Sequence, residues 1–159
     1  MGKIKLDEID HQILDMLIDN TRIPFTDIAK KLLISAGTVH VRVKKMEESG
    51  IIKGSSLTLD YKKLGYSFIA YVGLYLNNTS QTKFVLERIN DIAFVTVAHI
   101  TTGKFNIFCK IRARSTEHAK EIIFKLDDIE GVYRTETMIC LEESINDKKR
   151  LMHSVFSDM

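Results

Sequence analysis

Two cysteines, Cys109 and Cys140, are all that the 159-residue chain holds. They are too few for a disulfide framework and too far apart for a zinc knuckle, so they read as small, reduced core residues of a cytoplasmic protein. No apolar run approaches the roughly 20 residues that a bilayer span requires, so no membrane partner is expected. Met1–Asp7 has a little positive charge but no apolar segment or cleavage site, and no signal peptide is expected. The Asn-x-Ser/Thr triplets at Asn77 and Asn78 are therefore expected to be inert. A large charge excess is also missing: 23 Lys and Arg against 21 Asp and Glu give +2. The five histidines (11, 40, 99, 118, 153) lack ligand spacing, and the chain has no nucleophile motif or phosphate-cradling glycine loop. Catalysis, a bound metal and a cofactor are not expected, and His99, on a strand, reads as a satisfied core or interface residue.

What is present is a globular composition, 45% hydrophobic and 28% charged, with uneven charge. Arg22 to Lys45 holds six basic residues and one acid, a local net of +5, whereas Leu6 to Thr21 holds five acids and no Lys or Arg. A basic stretch this local suits a small contact face on a polyanion.

Within residues 1–59, three short helices are predicted. Asp7 caps the first, over 7–19, with Ile9, Ile13, Leu14, Met16 and Leu17 at helical spacing. Pro24, the single proline, opens the second, whose buried stripe is Ile28, Ala29, Leu32 and Leu33. Ser35 caps the third, which runs to Ser49 with Gly50 ending it. The last two, joined by a tight turn at Leu33-Ile34, outline a helix-turn-helix. Val39, Val43 and Met46 of the third helix point inward. Its opposite face carries Gly37, Val41, Lys44 and Lys45, flanked by Thr38 and His40. An exposed valine among hydrogen-bonding groups suits thymine methyls and base edges in a major groove. Arg42 lies nearer the buried rim and is assigned to a phosphate or to an acid of the chain itself. After Gly50, "IIKGSSLTLD" reads either as a wing or as an exit strand.

Residues 60–67 read as a polar hinge, and 68–159 as a second domain. Its predicted order is strand Phe68–Leu76, a helix capped by Thr79 or Ser80 with Phe84, Val85, Ile89 and Ile92 inward, and strands Ala93–Thr102 and Phe105–Arg114. A helix capped by Ser115 with Ala119, Ile122, Ile123 and Leu126 buried then leads to strand Val132–Glu142, with a short helix expected over Asn146–Val155. Gly103-Lys104 fits a type II′ hairpin between the middle strands. The order β-α-β-β-α-β is the ferredoxin-like split βαβ sandwich, so the chain is of α+β class. Both helices would cover one sheet face and leave the other bare, which a second copy would cover as an isologous dimer.

Together "SAGTVHVRVKKMEESGII", "LGY", "TTGKFNIF" and "TETMICL" resemble the Lrp/AsnC family of regulators over about Leu6 to Leu141, and are most similar to its asparagine-responsive type. The resemblance implies an N-terminal helix-turn-helix bound to operator DNA. It also implies a C-terminal ferredoxin-like RAM domain that dimerises, assembles octamers and binds an amino-acid effector. The DNA contacts it implies are Ser35, Gly37, Thr38, His40, Val41, Arg42, Lys44 and Lys45. The effector pocket it implies comprises Thr101, Thr102, Gly103, Lys104, Phe105 and Asn106, with Thr135, Glu136 and Thr137, where dimers meet. Many members carry an acidic residue in place of Asn106; AsnC-like members depart similarly, which favours a polar amide effector. A DNA-organising protein that ignores small molecules shares the first half, and only the polar turn speaks against it.

Overall fold

The computed structural model describes residues 5–147 and residue 151. These form two compact units, one extending to Thr58 and rejoined by the chain from Ile145, the other spanning Leu59–Ser144. The helix expected over Asn146–Val155 lies mostly outside the described residues.

The first unit is built from α1 (Glu8–Asp19), α2 (Phe25–Leu32) and α3 (Ala36–Glu48). Asp7 and Asp10 close a reciprocal capping box at the start of α1. Pro24 is the N-cap of α2 rather than its first helical residue, and supplies no side-chain cap. The tight turn is made by Leu33 at φ 56°, a left-handed conformation, with the Ile34 N–H reaching back to the Ala29 carbonyl. Leu33 is therefore 93% exposed instead of completing the buried stripe. The Ser35 hydroxyl accepts from the Thr38 N–H at 3.0 Å and starts α3. Gly50, at φ 74°, follows its end. Ile13, Leu14, Ile28, Ala29, Val39, Val43 and Met46 form the core, each large side chain worth about 1.5–3 kcal/mol on burial. Residues 51–60 contain no strand.

In the second unit, the stretch expected as a hinge is folded. Residues 60–66 close a turn in which Tyr66 N–H donates to the Tyr61 carbonyl at 2.8 Å. Arg112 anchors it, with Nη1 donating to the Tyr66 carbonyl at 3.2 Å and its guanidinium over the Tyr61 ring. The sheet comprises β1 (Phe68–Leu76), β2 (Val95–Ile100), β3 (Ile107–Ala113) and β4 (Val132–Ile139). All three pairings are antiparallel, in the order β2-β3-β1-β4. Helices α4 (Thr82–Asn90) and α5 (Thr116–Asp127) complete the ferredoxin-like order. Their residues Val85, Ile89, Ala119, Ile122 and Leu126 form a core with Ala70, Val72, Leu74, Ile107, Cys109 and Ile111 of the sheet. Burial pushes the Cys109 thiol up to about 12, so it is inert at neutral pH.

Several expectations are corrected. Cys140 is only half-buried. Phe84 stands at the rim beneath the Arg88 guanidinium rather than in the core. Asn78, not Thr79 or Ser80, caps the chain's entry to a 3₁₀ turn that precedes α4. The strands around the glycine turn are shorter than expected, and β2 and β3 pair only out to Ile100 and Ile107. Residues 101–106 therefore form a six-residue loop, not a two-residue hairpin. Its Gly103 has φ 123°, where a β-carbon would be strained. His99 is exposed, which rules out the core alternative and leaves the interface one.

The sheet face away from the helices is not simply apolar. Tyr71 and Phe108 stack with ring centroids 5.7 Å apart, and Phe105 stacks on Phe108 at 5.7 Å. Around them stand Lys110, Arg112 and Glu143, joined by Lys110–Glu143 and Arg112–Glu143 ion pairs.

Candidate functional site

The outward face of α3 carries Val41, which is 66% exposed, with Gly37, Thr38, His40, Lys44 and Lys45 also exposed. The face is positioned from behind by Val39, Val43 and Met46, buried at the spacing of helical turns. Thr38 and Ser35 share a hydroxyl–hydroxyl hydrogen bond of 2.8 Å, which fixes the first turn. The His40 ring lies 6.1 Å from that of Phe25 on α2. A β-carbon on Gly37 would meet only the Ser35 Oγ, at 3.7 Å. Among the described residues nothing thus requires a glycine there. Lys44 makes only a loose 3.8 Å ion pair with Glu48. Arg42 behaves differently: its Nη1 donates to Asp7 Oδ2 and Asp10 Oδ1, both at 2.7 Å. Of the two partners expected for it, the structure shows the acid.

In the second unit, the loop 101–106 is tied down by its own end. Asn106 N–H donates to the Leu74 carbonyl at 3.0 Å, its Oδ1 accepts from the Leu76 N–H at 2.9 Å, and its carbonyl accepts from the Thr101 N–H. Asn106 thus continues the pairing of β3 with β1 beyond Ile107, and its side-chain oxygen is already committed. The Thr101 hydroxyl donates to the Phe105 carbonyl at 2.6 Å. The Phe105 ring lies flat on Gly73, where a β-carbon would sit 2.2 Å from Phe105 Cδ1.

Glu136 is the hub of the polar cluster. It accepts from Lys104 Nζ at 2.5 Å, Tyr75 Oη at 2.9 Å and Arg134 Nη2 at 2.7 Å. The Lys104 ammonium, then the Tyr75 hydroxyl, hold the Glu136 carboxyl below the usual carboxylate range, and the carboxylate raises Lys104 in turn. Two cations meet one carboxylate, so the cluster carries a surplus positive charge.

Residues 6–53 match the family described as winged helix-turn-helix DNA-binding, and residues 69–149 match the Lrp/AsnC ligand binding domain. The regulatory protein AsnC of Escherichia coli strain K12 is 34% identical over 146 residues, which cover 91% of this chain and 96% of that protein. The HTH-type transcriptional regulator LrpA of Pyrococcus horikoshii is 39% identical over 141 residues, 87% of this chain and 98% of that one. The solved structure of E. coli AsnC superposes with a TM-score of 0.86 over 89% of this chain and 96% of its own.

The chain is a member of the Lrp/AsnC family of transcriptional regulators.

A Neisseria meningitidis transcriptional regulator solved as an L-methionine complex shares the fold, with a TM-score of 0.86 at 16% identity over 91% of this chain and 96% of that one. As a family member the chain pairs a DNA-binding domain with an effector-binding domain, and its relatives are regulators, not enzymes.

Within one Lrp/AsnC chain, the nine candidate effector residues do not form one surface. Lys104, Phe105 and Glu136 come together on the open face of the sheet. Thr135 points to the helix side, where its hydroxyl donates to Asp127 Oδ1 of α5 at 2.7 Å. Thr137, two residues on, shares that side. Thr101, Thr102 and Gly103 are exposed at the loop. Alternation along the strand puts Thr135 and Thr137 on the side opposite Glu136. The same alternation could have found Arg134, which neighbours Glu136 on one face, and Tyr75, which pairs with Arg134 across β1 and β4. Among the described residues no cluster of His, Cys, Asp or Glu could hold a metal ion, and no helix is long and apolar enough to cross a membrane.

Proposed function

We propose that this regulator binds operator DNA sequence-specifically through Ser35, Gly37, Thr38, His40, Val41, Lys44 and Lys45, and answers to a free α-amino acid, with asparagine the first candidate. The reading is of a cytoplasmic homodimer that covers the open sheet faces of two copies and assembles further to octamers. Val41 supports base contact, since its side chain is 66% exposed on the helix face opposite the core. The open space over Gly37 supports close approach of a backbone or base edge. The aromatic row Tyr71, Phe108 and Phe105 supports a partner on the open face.

The observation that carries the effector reading is the Lys104–Glu136 cluster. A zwitterion presents an ammonium and a carboxylate, and this site presents a carboxylate beside two cations, next to an exposed glycine loop. The surplus positive charge draws the ligand carboxylate, and the Glu136 carboxylate takes the ammonium. A thermal-shift screen of the twenty amino acids tests it. At 100 times its Kd, an effector stabilises the fold that binds it by about 2.7 kcal/mol. A rise with at least one amino acid, reduced in Glu136→Gln, is expected. No response to any of the twenty would favour a DNA-organising protein that senses nothing small. Sedimentation of the free protein as a monomer would contradict the dimer.

A further inference from the structure

We infer that Arg42 is a positioning residue of the reading helix, not a DNA contact: it locks α3 onto the capping box of α1. This rests on the DNA-binding reading above and assigns one of its basic residues a different task. The capping box and the ion pairs divide four carboxylate oxygens without overlap. Asp7 Oδ1 accepts from the Asp10 N–H at 2.9 Å and Asp10 Oδ2 accepts from the Asp7 N–H at 3.1 Å. The two remaining oxygens, Asp7 Oδ2 and Asp10 Oδ1, both accept from Arg42 Nη1 at 2.7 Å. A single guanidinium nitrogen thus bridges both cap residues, 35 and 32 positions away in sequence.

Charge excludes the alternative. Two carboxylates against one guanidinium leave that spot net negative, so a backbone phosphate is repelled there rather than anchored. Burial points the same way. The Asp10 side chain is 11% exposed and that of Arg42 26%, whereas that of Lys44 is 63% exposed. A buried carboxylate needs its partner, and Arg42 is the cation that the fold places there. Because Val41 precedes Arg42 and Val43 follows it, fixing Arg42 fixes the rotation of α3 about its axis. That rotation decides which side chains face a groove.

The measurement is binding of the full chain to a random-sequence 30-base-pair duplex at several salt concentrations, with melting temperatures for each variant. Asp7→Asn and Asp10→Asn are the informative changes, since asparagine still caps a helix but no longer pairs with Arg42. On charge alone, removing an acid from a DNA-binding unit tightens binding. The lock predicts the reverse, a weakening of about threefold or more in both variants. Arg42→Gln should also weaken binding while leaving the slope of log K against log salt unchanged, because no phosphate contact is lost. Lys44→Gln, the control, lowers that slope by about one unit. Asp7, more exposed, keeps the test valid if Asp10→Asn does not fold. A slope lowered by about one unit in Arg42→Gln, or tighter binding in Asp7→Asn, overturns the assignment. A wild-type chain that binds no duplex even at low salt overturns instead the DNA-binding reading beneath it.

Discussion

At the scale of single residues, two carboxylates do most of the organising, and both are held below their ordinary range. Asp7 is lowered by the Asp10 N–H and then by Arg42, and Glu136 by Lys104 and then by Tyr75, from ordinary values of 3.8 and 4.5. A carboxylate whose folded pKa is depressed adds stability above its unfolded value and loses it as pH falls through the folded one. The melting temperature should therefore hold from pH 7 to about 5 and fall as pH drops below about 4. In the Asp7→Asn/Glu136→Gln double variant that acid-side fall should be shallower; thermal melts across a pH series check it, and an unchanged fall would contradict it. Lys104 is shifted in the other sense, raised above 10.5 by Glu136, so its contribution is lost only on the alkaline side.

At the scale of elements, two contacts set the local geometry. The Phe105 ring occupies the place where any residue larger than glycine at 73 would put its β-carbon. Gly73→Ala should cost about 1–3 kcal/mol in urea denaturation, the usual range for overpacking. Adding Phe105→Ala should recover part of that loss, whereas strictly additive losses would show that the ring is not what the new methyl meets. The turn between α2 and α3 holds Leu33 at φ 56° with its side chain in solvent. Asparagine tolerates that conformation, so Leu33→Asn should raise stability by about 0.5–1 kcal/mol. A lowered melting temperature would mean that the leucine is buried against something in solution.

Elements of this kind show where the sequence was legible. Caps at Asp7, Ser35 and Ser115 and the stripe Val39, Val43, Met46 were readable because each depends on neighbours three or four residues away. The 101–106 loop departs from the expected hairpin because Asn106 is committed to Leu74 and Leu76, some thirty positions earlier. The turn at 60–66 was read as a hinge for the same reason, since Arg112 holds it from β3. The split of Thr135 from Glu136 follows from the two-residue alternation of β4.

At the scale of the whole molecule, a DNA-binding unit and an effector-binding unit share one chain, and the proposed response to an effector requires that the two be coupled. Coupling is reciprocal: an effector that alters DNA affinity is itself bound more or less tightly when DNA is present. Lys104, Glu136 and the exposed loop sit on the face that the proposed assembly would bring against another copy. The central claim is therefore tested by fluorescence anisotropy of a labelled 30-base-pair duplex with the full chain, titrated in the presence of each of the twenty amino acids. At least one is predicted to change the apparent Kd by about fivefold or more, the lower end of ordinary allosteric coupling. Twenty superimposable binding curves would contradict it.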